Sequence, residues 1–435
     1  MNWFIVNRSR VFLRSSLCVT PIVFMAAALL TAPLVRWVDD RTQWTLMGFE
    51  PDGARALVGA LASSLLTFIV FAFSMILLMV QIAGGQLSPR VIARIFEGRT
   101  AKLTLGAFAF SFTYSLAAMG RIEGRVPQLP VMLVILSSLA SLALFLYLIQ
   151  RVSQTLRPIQ IMTQVAADTR AAIDKAYPDP FTAPPEAAPG PDVPTVPADR
   201  TVTYRGCPGA VLAVDTAGLA EIARKAGCTL ELVPRMGDFL ADGDDLFGLR
   251  GARSGEVDEN RLRRGVVTGT ERSQENDPVF GFRILVEIAV KALSPSLNDP
   301  STGVLALDQL QHLLRRLGGR DLDTGLVRDS AGAVRLRFRT PAWEDYLALA
   351  VTEIRHYGAD SHQVARRLRA MFDHLLAVLP AERREALHRE RALLQRTTEG
   401  ALADPEDRRL AGVGDRQGFG SLLRGGGPED APNGR

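Results

Sequence analysis

The chain has 435 residues, is 22% charged and 47% apolar, and carries a formal net charge of +4. That length exceeds one compact core, so two or three units are expected. Acidic residues are interspersed among the many arginines, so the charge describes a mixed solvated surface and gives a nucleic-acid partner no support.

Asp, Glu, Lys and Arg are absent from residues 15–35, 56–89, 103–120 and 126–150. A helix needs about 20 apolar residues to cross a hydrocarbon core, so each window predicts a span. A secretory signal would account only for the first. The third is the weakest, diluted by Ser111, Thr113, Tyr114 and Ser115. The expected fold is mostly α: a four-helix transmembrane bundle over 1–157, followed by a cytoplasmic α+β region. Arg8, Arg10 and Arg14 precede the first window, Arg90, Arg94, Arg99 and Lys102 separate the second from the third, and Arg151 and Arg157 follow the fourth. The other two loops set Arg36, Arg41 and Arg55 against Asp39, Asp40, Glu50 and Asp52, then hold Arg121 and Arg125. Positive charge stays on the cytoplasmic side, so both termini are expected there.

In the second window Thr67, Ser74, Gln81 and Ser88 recur every seven residues, with Ser63 one turn before Thr67. Seven residues are nearly two turns, so these side chains share a face, either as a substrate path or as interhelical hydrogen bonds. Ser111/Ser115 and Ser137/Ser141 are i,i+4 pairs that suit close helix packing. In the loop Gln86, Ser88, Pro89 and Arg90, Ser88 is placed to cap a short amphipathic helix starting at Pro89. Such a segment lies at the membrane interface, with Arg90, Arg94 and Arg99 toward headgroups, or else gates about Gly84-Gly85.

Residues 158–177 read as a helical stalk with Ile159, Met162, Val165, Ala166, Ala172 and Ile173 near one face, suited to packing on itself or on a partner protomer. Residues 178–200 are a Pro-rich linker. Residues 201–270 form a small β-rich module with strands near 202–204, 210–214, 229–233 and 245–249, a helix over 217–226, and a turn-rich stretch in which Gly237 and Gly243 suit positive φ. Residues 271–397 are mainly helical, interrupted by a hairpin-like pair at 325–329 and 334–339. From 398 to 435 Gly, Asp, Pro and Arg dominate, and a disordered tail is expected.

The second polar cluster is the turn containing Ser294, Pro295, Asn298, Asp299 and Pro300. Asp299 is placed to cap a helix that begins at Pro300 and carries an apolar stripe of Val304, Leu307, Leu310, Leu314 and Leu317. A structural joint is the expectation. The competing reading is a ligand site, with Ser294 and Asn298 as hydrogen-bonding groups and Arg272, Asp277 and Arg283 as charged partners. The five histidines include no HExxH, no phosphate loop or GxSxG elbow occurs, and Cys18, Cys207 and Cys228 form no CxxC. No catalytic residue, metal or cofactor is assigned, and an enzyme is not the expected class.

Gln86-Leu-Ser-Pro-Arg90, the four early windows, and Ala292-Leu-Ser-Pro-Ser-Leu-Asn-Asp-Pro-Ser-Thr302 resemble the bacterial family of predicted membrane proteins called domain of unknown function 2254. The resemblance runs from about Arg10 to Arg396, including 272–277 and the Tyr357-Gly358 junction. Ser296 and Ser301-Thr302-Gly303 depart from the residues common there. It implies an inner-membrane location and no particular activity. Two function classes stay open: a channel- or transporter-like protein with a cytoplasmic regulatory region, or a membrane-anchored cytoplasmic scaffold or ligand sensor. The partners expected are the lipid bilayer and a second copy of the chain.

Overall fold

The computed structural model describes residues 19–42, 48, 50–86, 99–120, 122, 126–155, 158–182, 198–251, 257–269, 272 and 277–419. The protein is mostly helical with some sheet. It divides into two compact units, Met1–Ile161 and Met162–Arg435.

Among the described residues the first unit contains four long helices: α1 (Val19–Thr42), α2 (Pro51–Gln86), α3 (Arg99–Met119) and α4 (Gln128–Thr155). Three of them are long and apolar enough to cross a membrane: Val19–Thr42, Pro51–Ile82 and Gln128–Arg151. Of the four expected spans, three are thus supported by length and apolarity. The helix that falls short, α3, packs against each of the other three. A helix enclosed by protein does not need an apolar circumference, because its polar groups meet other helices rather than lipid. Ser111, Tyr114 and Ser115 are accordingly buried, and the Ser111 and Ser141 hydroxyls lie 2.9 Å apart across α3 and α4. The outward surface is made of large apolar side chains, including Leu30 of α1, Val70 of α2 and Leu139 of α4. Such a continuous exposed apolar surface is what a bilayer covers.

In the second unit, α5 (Pro158–Ala176) buries Met162, Val165, Ala166, Ala172 and Ile173. This face closes within the unit. The tie is steric at Gly281, where a Cβ would lie 1.9 Å from Thr169 Oγ1. It is electrostatic at Asp174, which pairs with Arg316 at 2.6 Å and Arg320 at 2.9 Å. The chain after α5 docks too, with the Phe181 N–H donating to the Gly319 carbonyl at 2.9 Å.

The strands are β1 (Arg200–Thr203), β2 (Gly209–Val214), β3 (Thr229–Leu232), β4 (Phe239–Leu240), β5 (Asp245–Arg250), β6 (Val266–Gly269), β7 (Leu326–Arg328) and β8 (Val334–Phe338). They form a five-stranded sheet ordered β1-β5-β3-β8-β7 and a three-stranded sheet ordered β4-β2-β6. Only β3 and β8 pair in parallel. The sheet thus draws two strands from 326–338, so the segment 201–270 is not closed by itself. Alternating inward residues Val202, Leu230, Leu232, Phe247, Leu249 and Leu336 meet Leu219 of α6 (Thr216–Ala226) and Leu262 of α7 (Glu259–Arg264) in one core. Gly237 and Gly243 take φ of 84° and 95° in the turns flanking β4.

The helical part contains α8 (Pro278–Ala292), α9 (Pro300–Gly318), α10 (Trp343–Tyr357), α11 (His362–Val378), α12 (Ala381–Ala401) and α13 (Pro405–Ala411). Helix α8 buries Phe280, Phe282, Ile284, Leu285, Ile288 and Ala289, covering most of its circumference, as a central helix must. The expected disordered tail is corrected over 398–419: α12 continues to Ala401 and α13 follows. The cause is Arg366, buried on α11, whose Nε donates to the Leu410 carbonyl at 2.7 Å and whose own carbonyl accepts from the Asp415 N–H at 3.2 Å. Residues 420–435 lie outside the described residues.

Candidate functional site: a polar cavity in the membrane unit

The candidate residues of the sequence are dispersed. Thr67, Ser74 and Gln81 are all exposed on the outer face of α2. The Thr67 hydroxyl donates to the Ser63 carbonyl at 3.1 Å and that of Ser74 to the Val70 carbonyl at 2.9 Å. Hydroxyls closed on their own helix are satisfied without water or a neighbouring helix. Gln86 ends α2, while Ser88, Pro89 and Arg90 lie outside the described residues.

The turn between α8 and α9 is at the surface, with Pro295, Asn298 and Asp299 exposed and Ser294 and Pro300 half-buried. The Ser294 hydroxyl donates to the Lys291 carbonyl at 2.6 Å. Asn298 has φ of 45°, a left-handed conformation that asparagine tolerates better than most residues. Asp299 caps α9, accepting from the Thr302 N–H at 3.1 Å and the Thr302 hydroxyl at 2.6 Å. Arg272 and Asp277 do pair, but at the opposite end of α8, where Asp277 accepts from the Phe280 N–H at 3.2 Å. Arg283 is exposed on α8 and makes no ion pair with a described residue. The charged partners are therefore not assembled around the turn.

The Arg272–Asp277 pair belongs to a buried polar knot. The Arg272 guanidinium lies 5.2 Å from the Phe280 ring centroid and against the face of Gly237. Nearby, the Tyr177 and Tyr346 hydroxyls are 3.0 Å apart. Burial, with Asp277 beside them, pushes both phenols above their ordinary range. These groups satisfy one another and tie α5, α8 and α10 together.

A different arrangement stands out in the first unit. A cavity of about 360 Å³ is lined by α1 (Leu29, Ala32, Pro33, Arg36, Asp39, Asp40), by α3 (Tyr114, Ala117, Ala118) and by Pro127 and Pro130 at the start of α4. Pro33 has no N–H to give the carbonyl of Leu29 one turn earlier, so the α1 wall is locally short of a helical hydrogen bond. Asp39 is 4% exposed, and its Oδ1 accepts the Leu129 N–H of α4 at 2.9 Å. A carboxylate at a helix N-terminus satisfies an open donor and favours the helix dipole, and here it is supplied from another helix. Arg36 turns instead to Asp40, one turn along, at 3.9 Å. Tyr114 is 1% exposed; its ring stacks on Phe110 at 5.8 Å and its buried hydroxyl has no hydrogen-bond partner among the described residues.

Sequence reasoning placed Asp39 only among loop charges and Tyr114 only among residues weakening a span. A usable signal exists: Ala28, Ala32 and Asp39 are spaced to share one helix face, and Ala28 is fully buried. Asp40 falls off that face. Among the described residues no group of three His, Cys, Asp or Glu side chains is placed to hold a metal ion. The described lining offers acceptors and charge.

The family model described as predicted membrane protein (DUF2254) matches residues 14–374. An uncharacterised protein of Mycobacterium tuberculosis and one of Mycobacterium bovis are each 29% identical over 376 residues, covering 83% of this chain and 71% of theirs. No solved structure matches the chain.

Proposed function

The chain belongs to the predicted membrane protein family DUF2254, and from that premise we propose that it is a ligand sensor anchored in the bacterial inner membrane. The observation that carries the proposal is the cavity lined by buried Asp39 and by Tyr114, whose hydroxyl has no partner among the described residues. Asp39 caps α4, and α4 leads through residues 156 and 157 into α5, whose apolar face is buried in the second unit. A ligand that changes the cap therefore acts on a helix continuous in chain with the second unit. The channel or transporter alternative drew on the stripe of Thr67, Ser74 and Gln81, and these side chains face outward with the two hydroxyls already satisfied.

In this reading α3 also crosses, enclosed by the other three helices, so both termini and the second unit are cytoplasmic and the cavity opens toward the other side. Reporter fusions after Lys102 and after Leu156 are expected to read cytoplasmic, and one after Asp52 periplasmic. A periplasmic signal from a C-terminal reporter would reverse the orientation. The sensor itself is tested without a known ligand by filling the cavity with Ala32→Trp in the full chain. Hydrogen exchange should change at the start of α4 and within α5. Exchange in α5 and the second unit identical to the parent protein would reject sensing.

A further inference from the structure

We propose that the cavity at the end of α1 binds an ammonium group, carried by a small free amine or by a lipid headgroup. The inference rests on the reading of this cavity as a ligand site. Asp39 is 4% exposed, yet Oδ1 has a single donor, Leu129 N–H, and Oδ2 receives no hydrogen bond from a described residue. Tyr114, 1% exposed, lines the same cavity, and its hydroxyl has no hydrogen-bond partner among the described residues. Buried acceptors left open favour a donor, and a buried carboxylate favours a cation. An ammonium presents several N–H donors on one positive centre, matching both groups at once.

Charge within the cavity points the same way. Among the described residues Arg36 is the one basic side chain in the lining, and it pairs with Asp40 rather than Asp39. An anion would meet Asp39 directly, and an apolar molecule would leave both polar groups unsatisfied. Size argues against a bare metal ion. The volume of about 360 Å³ suits a small organic molecule. Leu29, Ala32 and Ala118 supply apolar surface for a carbon stem.

The test uses the full chain in nanodiscs of phosphatidylglycerol alone, titrated with ethanolamine against sodium at equal ionic strength. A parallel arm uses nanodiscs containing phosphatidylethanolamine, with retained lipid read by native mass spectrometry. Binding of ethanolamine assigns a free amine; retention of phosphatidylethanolamine over phosphatidylglycerol assigns a headgroup. Asp39→Asn keeps an oxygen for the Leu129 N–H but removes the charge, and should weaken binding tenfold or more, an effect on the order of losing a charged hydrogen bond. Tyr114→Phe should weaken it about threefold to tenfold. Without amine, both variants should melt like the parent protein in phosphatidylglycerol. Absence of both ethanolamine binding and headgroup selectivity, or undiminished affinity in Asp39→Asn, overturns the proposal. If Asp39→Asn does not fold, parent-like affinity in Tyr114→Phe overturns it. Ammonium binding with no change in exchange of the second unit keeps this inference and removes the sensor. The converse result removes this inference and keeps the sensor.

Discussion

The two units treat polarity in opposite ways. The first turns Ser111, Ser115, Ser141, Thr104 and Asp39 inward and presents Leu30, Val70 and Leu139 to its surroundings. The second buries Leu230, Phe247, Phe282 and Leu307 and presents charged side chains held in pairs such as Arg316–Asp174 and Arg409–Glu406. A chain folds its surface to the solvent it meets, so the difference records two solvents, hydrocarbon and water. It also explains where the open polar groups lie. In the second unit charged groups pair at the surface, whereas in the first Asp39 and the Tyr114 hydroxyl lie between helices.

The largest expected effect breaks this comparison directly. Leu139→Arg, on the outer face of α4, should cost about 2.5–3.5 kcal/mol of insertion if it sits near the bilayer centre. Val378→Lys, an equally drastic change at an exposed apolar residue of the second unit, should stay within about 0.5 kcal/mol. Membrane fractionation of the first and thermal melting of the second read both outcomes; parent-like insertion of Leu139→Arg would mean that this face is not against lipid.

Within the second unit, Gly281→Val should destabilise by about 1–3 kcal/mol through its collision with Thr169. Combination with Thr169→Ala should recover part of the loss in melting temperature, and full additivity would show that α5 does not pack there. Asp299→Ala should cost about 1 kcal/mol by removing the α9 cap. Chemical denaturation of the full chain checks it, and an unchanged midpoint would return the turn to the ligand-site reading. Ser141→Ala should lose only about 0.6 kcal/mol, the usual worth of a hydroxyl contact between membrane helices.

The smallest effect concerns pH. Burial, aided by Arg315, Arg416 and Arg367, holds His374 below the ordinary histidine value. A group so lowered contributes stability that is fully present above the unfolded value of about 6.5. As pH falls toward the folded value the unfolded chain takes up its proton first, and the contribution is lost. The second unit should therefore melt lower at pH 5 than at pH 7, and His374→Gln should flatten part of that slope. An equal slope in the variant would assign the dependence to other groups.

Much of this arrangement was local and hence legible. Charge-free windows mark the membrane unit because hydrocarbon excludes charge whatever the fold. The Asp-Pro start of α9 and its apolar stripe were readable, since a cap and its helix lie within a few residues of each other. What only the tertiary structure decided depends on partners far along the chain. The one of the four helices without the composition of a span became the most enclosed, and the stripe on α2 turned outward, because hydroxyls bonded to their own helix do not dictate a face. Strand β8 completed a sheet begun a hundred residues earlier, and Arg366 ordered a segment whose composition reads as disordered. Asp39 and Asp40 are identical in type and adjacent in sequence. Only the approach of α4 in space, bringing the Leu129 N–H to one of them, made Asp39 the buried acid of a cavity and left Asp40 as a surface charge.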